Sequence, residues 1–131
     1  MTGARTARFV EPVYALLRFV AGILFACHGA QKLFGVLGGS VAAAPLMKVG
    51  GVIEFGGGIL IALGLLTPWA ALLASGMMAA AYFMAHAPGG FWPIVNKGEL
   101  AVVYCFLFLF VWAYGGGRYS LDAAMRKDRA A

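Results

Sequence analysis

Apolar residues fall into long blocks along this chain, separated by short stretches of glycine, proline and polar residues. A helix needs roughly 20 mainly apolar residues to cross the hydrocarbon of a bilayer. The windows 13–34, 47–66, 69–87 and 99–115 approximately meet that length. Helix breakers lie between them: Gly38-Gly39 and Pro45, then Thr67-Pro68, then Pro88-Gly89-Gly90 with Pro93. The second gap predicts a tight hairpin. Gly115-Gly116-Gly117 stops the last run, and Ser120 is placed to cap a short polar helix carrying Asp122, Arg126, Lys127, Asp128 and Arg129. The pattern predicts an all-α integral membrane protein, a single four-transmembrane-helix bundle over 1–131 with basic tails at 1–12 and 116–131.

Composition agrees. Of 131 residues, 63% are hydrophobic and 11% charged, with a mean hydropathy of +0.87. A water-soluble domain carries about 25% charged residues, so too few polar side chains are present here to clothe a surface facing water. Arg5 and Arg8 ahead of an apolar stretch resemble the start of a signal peptide. That stretch is long for a signal and contains Arg18, so it is read as the first span.

Four spans put both ends on one side. The tails hold Arg5, Arg8, Arg118, Arg126, Lys127 and Arg129, against Lys32, Lys48 and Lys97 near the other face. The positive-inside rule then places both termini of this multi-pass chain in the cytoplasm. The net charge of +5 is accounted for by orientation and anionic headgroups rather than by nucleic acid.

Helices in lipid associate through close backbone contact between small residues. Gly22, Ala26 and Ala30 form one such stripe, Gly50, Gly57 and Gly64 with Gly51 and Gly58 beside them a second, and Ala71, Ser75 and Ala79 a third. Segments 18–29 and 54–65 also align, matching Phe19/Phe55, Gly22/Gly58, Ile23/Ile59, Leu24/Leu60 and Ala26/Ala62. Inverted repeats produce such matches; so does glycine-rich apolar composition alone.

Ionisable residues inside the spans carry the candidate chemistry, because each must face a polar partner or the interface. His28 and Lys32 are four residues apart and project from one helix face. By depth, the outer third of the bundle gathers His28, Gln31, Lys32, Glu54, His86, Asn96 and Glu99. Arg18 lies nearer the cytoplasmic end, where it can snorkel. Such a cluster is either a network that fixes helix register or an outward-facing polar pocket for a ligand, with Arg18 and Asn96 read as structural.

The remaining chemistry is sparse. Cys27 and Cys105 lie at similar depths, but no Cys-x-x-Cys pair is present and buried free cysteines pack as small apolar residues. His28 and His86 are too few to argue for haem, and no metal site is read from the sequence. There is no phosphate loop, His-Glu-x-x-His or Gly-x-Ser-x-Gly. Trp69, Phe91, Trp92 and Trp112 sit near helix ends, as in an aromatic belt.

Arg18 with Gly22 and Phe25, the run His28-Gly29-Ala30-Gln31-Lys32-Leu33-Phe34-Gly35, and Glu54 with Gly56-Gly57-Gly58 form one set of motifs. Phe91-Trp92-Pro93, Asn96-Lys97-Gly98-Glu99 and Gly117-Arg118-Tyr119-Ser120-Leu121-Asp122 form another. With these motifs the chain resembles the DoxX family of small four-helix bacterial membrane proteins over about residues 13–123. The resemblance implies a cytoplasmic-membrane protein, associated in some members with quinone-linked sulfur oxidation or redox-stress complexes.

The leading expectation is a membrane subunit or accessory protein of a quinone-linked redox system, itself possessing no soluble catalytic domain. Its quinone site would comprise His28, Gln31, Lys32, Glu54, His86 and Glu99. Expected partners are the lipid bilayer and a membrane or cytoplasmic redox protein or a second copy of the chain. A small-solute or proton conduit, or a structural partner for another membrane protein, are the alternatives.

Overall fold

A computed structural model describes residues 2–130. A turn of helix, Thr2–Thr6, and a 3-10 turn, Ala7–Phe9, lead into helix α1, Val10–Phe34. Helix α1 stops where Gly35 adopts a left-handed φ of 66°. Helix α2, Pro45–Leu63, opens on a proline, whose missing amide costs nothing at a helix start. It ends short of the predicted 66, because Gly64 turns left-handed at φ 68° and its amide bonds back into the last turn.

Helix α3, Thr67–Ala81, continues as a π-helical turn, Tyr82–His86, and a 3-10 turn, Ala87–Gly89. The single turn Pro93–Asn96 precedes α4, Glu99–Tyr114, and the tail helix α5 is Leu121–Ala130. No strand occurs among the described residues. Three helical stretches, Gly3–Phe34, Pro45–Leu63 and Thr67–Gly89, are long and apolar enough to cross a membrane. The fourth apolar helix, α4, has 16 residues and rises only about 24 Å. Large apolar side chains cover much of the bundle's exterior, with Trp69 76%, Trp92 68% and Phe106 65% exposed, which suits lipid and not water.

Helices α1 and α2 run antiparallel with their backbones almost touching. A Cβ on Gly22 would lie 2.5 Å from the Ala62 amide nitrogen, and one on Gly58 would lie 2.5 Å from that of Ala26. The two contacts are mirror members of the aligned segments, so the sequence match at Gly22/Gly58 and Ala26/Ala62 corresponds to a local two-fold relation between these helices. A Cβ on Gly29 would meet Phe55 N at 2.3 Å. The contact stripe of α2 is therefore Gly51 and Gly58. Gly56 and Gly57 face open space, and Gly50 approaches only the Met77 side chain.

Helix α4 meets α1 through rings rather than backbone: Phe25 packs on Phe108 at 4.8 Å between centroids and on Tyr104 at 5.5 Å. Phe25, Ile61, Phe108 and Val111 are almost wholly buried and form the central layer. Small residues Ala70, Ala71 and Ala74 seat α3 against α4, and Ser75 Oγ donates to the Cys105 carbonyl at 2.7 Å.

Arg18 is 3% exposed and does not snorkel. Its Nε donates to the Ile61 carbonyl at 2.9 Å, its Nη2 to those of Tyr119 at 3.0 Å and Ala62 at 3.4 Å, and its Nη1 to Gly116. The last turn of α2 leaves carbonyls without intrahelical partners, and a guanidinium presents enough donors to take several of them. Asp122 does the opposite job for α3: its carboxylate accepts from the Leu66 and Thr67 amides at 2.9 and 3.0 Å. Ser120 Oγ caps α5 by accepting from the Ala123 amide at 3.1 Å. These contacts gather α1, the α2–α3 hairpin and the start of α5 at one end of the bundle.

Candidate functional site

At the opposite end, a cavity of about 530 Å³ opens among α1, α2, α3 and α4. Its walls are mainly apolar: Phe25, Ile53 and Leu100, with Met47, Met77, Met78 and Met84. Its polar side chains are His28 and Lys32 from α1, Glu54 from α2, His86 from the π-helical turn, Lys97 from the following loop and Tyr104 from α4. Met47, Gly50 and Glu54 recur at helical spacing and so present one face of α2 to it.

Lys32 Nζ lies 2.7 Å from Glu54 Oε1. The Lys32 side chain is 27% exposed and that of Glu54 only 4%, so the pair runs from the cavity rim into the protein. Glu54 Oε2 is buried with no hydrogen-bond partner among the described residues. A carboxylate oxygen left in that state is costly unless something donates to it. The His28 ring stands edge-on to Tyr104, with centroids 6.3 Å apart. Two lysines against one carboxylate leave the lining with an excess of positive side chains, which favours oxygen acceptors.

The π-helical turn and the loop after it are held by Asn96. Its Nδ2 donates to Tyr82 Oη at 3.1 Å and to the Gly90 carbonyl at 2.7 Å, while its Oδ1 accepts from the Gly98 amide at 2.8 Å. Tyr82 Oη in turn donates to the Phe91 carbonyl. His86 Nδ1 lies 3.2 Å from the Asn96 carbonyl oxygen, which fixes that ring at the cavity edge. Lys97 takes a left-handed φ of 62°, ending the short turn. A side chain at Gly98 would run into Asn96 Oδ1 at 2.7 Å and His86 Cβ at 2.9 Å, so glycine is required there. The π geometry adds a residue to the last turn of α3 and thereby re-aims His86, a device common at functional sites.

Of the residues expected at the site, His28, Lys32, Glu54 and His86 line the cavity. Gln31 and Glu99 do not. Gln31 Nε2 donates to the Leu37 carbonyl at 2.9 Å and pins the α1–α2 loop, since one residue before Lys32 is a different helix face. Glu99 opens α4 on an exposed side, where its charge suits the positive helix start. Arg18 belongs to the other end, and Asn96 organises the loop. Lys97, Tyr104 and the methionines were not read from sequence as site residues; the spacing of Met77, Met78, Ala81, Met84 and Ala85 on one helical face was the available signal. Cys27 and Cys105 are free thiols.

A sequence profile of the DoxX family matches residues 13–87. An uncharacterized protein of Haemophilus influenzae is 43% identical over 116 residues, covering 82% of this chain and 87% of that relative. No solved structure matches the chain.

Proposed function

The chain belongs to the DoxX family of membrane proteins, and from that membership and the cavity we propose that it serves a quinone-linked redox system as a membrane subunit or accessory protein. The observation that carries this reading is an apolar, methionine-lined cavity with the Lys32–Glu54 pair and two imidazoles at its polar side. A quinone needs that combination: an apolar channel for its tail, and donors with a proton path for its ring oxygens. Bound there, a quinone supplies two-electron, two-proton chemistry.

Lys32 is the donor that holds a ring oxygen. His28 takes up and releases the proton, since imidazole has both a donor and an acceptor form. Glu54 keeps Lys32 in place and accepts the proton onward. Phe25, which lines the cavity, packs on the wholly buried Phe108, and this ring pair on the inner side favours a binding site over a through-conduit.

In this reading the protein sits in a bacterial cytoplasmic membrane with both termini inside and the cavity facing outward. Electrons reach or leave it through a membrane or cytoplasmic redox partner, or a second copy. Photolabelling of the purified protein with a short-chain azidoquinone tests the proposal. Labelled peptides are expected around Met77–Met84 and His28, competed by unlabelled quinone; no competed labelling discards it.

A further inference from the structure

A second concavity, of about 710 Å³, lies at the end opposite the first, between α1, the close of α2 and the tail helix α5. Leu16, Phe19 and Leu63 give it apolar walls continuous with the lipid-facing exterior, and Arg118 and Lys127 stand over it. Among the described residues no Asp or Glu lines it. The two nearby carboxylates are committed: that of Asp122 to the Leu66 and Thr67 amides, and that of Glu11, beside Arg118, to the Arg118 amide and the Tyr114 hydroxyl. Below the two exposed cations lies Arg18, which has spent its donors on backbone carbonyls and contributes charge alone. We infer that this groove binds the headgroup and upper acyl chain of an anionic glycerophospholipid.

Charge and shape both select that occupant. Arg118 and Lys127 flank a phosphate, while Leu16, Phe19 and Leu63 receive chain methylenes. The cationic group of a zwitterionic lipid finds no uncommitted carboxylate in the lining and is repelled by three basic side chains. The groove is also built rather than incidental. Its α5 wall presents Leu121, Ala124 and Lys127 at helical spacing toward α1, and α5 is fixed by the Asp122 amide donating to the Gly64 carbonyl at 2.9 Å. A basic side chain near an anionic headgroup is worth roughly a fivefold preference, so two flanking ones give up to about thirtyfold.

Native mass spectrometry of the full chain, delipidated and returned to mixed micelles of phosphatidylglycerol and phosphatidylcholine, reads the preference directly. The wild type is expected to retain one phosphatidylglycerol in preference to phosphatidylcholine by about ten- to thirtyfold. Arg118→Gln with Lys127→Gln removes exposed side chains and is expected to bring the ratio to within about twofold. Ala124→Glu, which leaves both cations but adds a carboxylate to the groove, gives the same loss. Arg5→Gln with Arg129→Gln removes equal charge elsewhere and leaves the ratio unchanged. An equal loss in that control, absence of any preference in the wild type, or displacement of the lipid by soluble glycerol phosphate overturns the inference.

Discussion

The carboxylate of Asp122 accepts the amide hydrogen of Thr67 at 3.0 Å, although the two residues are 55 positions apart. A tail residue thus supplies the amino-terminal cap that α3 lacks locally, since Leu66 in the cap position has no side-chain acceptor. Burial pushes the Asp122 carboxyl up, but the amide hydrogen bonds from Thr67 and Leu66 and the nearby Arg126 outweigh it and hold it below the usual value of 3.8. A carboxyl depressed on folding contributes stability in full above 3.8 and loses it as pH falls through its folded value. Thermal unfolding in detergent is therefore expected to show Asp122→Ala less stable than wild type by about 1 kcal/mol at pH 7. The difference shrinks below pH 3.8 as the wild-type carboxyl protonates. A pH-independent difference would show that the carboxylate charge is irrelevant.

Arg18 should be the most sensitive polar position at the same end. Arg18→Leu removes the guanidinium donor from the carbonyls of Gly116 and Tyr119 and leaves that of Ile61 with the Gly64 amide alone, and hydrogen bonds to a charged group contribute about 1.5–3 kcal/mol each in net terms. A loss of several kcal/mol, or failure to accumulate as a folded bundle, is expected. Arg18→Lys recovers only part of it, because one ammonium cannot reach carbonyls from two separate segments with the guanidinium's fork. The check is midpoint temperature in detergent for the three forms, and a lysine variant as stable as wild type would contradict it.

Most of this end, and half of the candidate site, lay outside what the sequence could reveal. Helix number and approximate limits follow from apolar runs and from breakers such as Pro45, Pro68 and Gly115, because those act on the backbone locally; Gly64, read as a packing residue inside the span, ends α2 instead. His28, Lys32 and Glu54 could be gathered by depth because depth depends only on counting residues from a helix end. Gln31 and Glu99 were misplaced for the same reason: depth says nothing of azimuth, and each lies on a different face from the cavity. Arg18's carbonyl partners and the reach of Asp122 to Thr67 come from distant segments, so no local spacing encodes them. The π-helical turn that carries His86 is likewise unmarked in sequence, since its extra residue is accommodated by the Asn96 network.

Glycines of α2 that look alike in sequence should behave differently. A methyl at Gly58 would sit 2.5 Å from Ala26 N and from the Gly22 carbonyl oxygen, both backbone atoms that cannot step aside singly. Gly58→Ala is expected to push α1 and α2 apart at a cost of about 1–3 kcal/mol or more. Gly57→Ala, with nothing within 4 Å of the new methyl, is expected to be neutral or slightly stabilising through helix propensity. Unfolding of the two variants side by side decides it, and equal destabilisation would refute the α1–α2 contact described above.

The Lys32–Glu54 pair, 2.7 Å apart, allows a register pin to be separated from a ligand site. Lys32→Met strands a buried carboxylate, and Glu54→Gln strands an ammonium that can still reach the rim. The first should therefore cost more, about 2–3 kcal/mol, below the 3–5 of a fully enclosed pair because Lys32 is partly exposed. The double variant Lys32→Met with Glu54→Gln removes both charges and should regain most of that stability, as neutral replacements of buried ion pairs commonly do. Azidoquinone labelling discriminates the roles. If the pair serves a ligand, labelling stays lost in the stable double variant, since neither the donor nor the proton acceptor is restored. Wild-type labelling in that variant would mean that the two charges hold α1 against α2 and do nothing more.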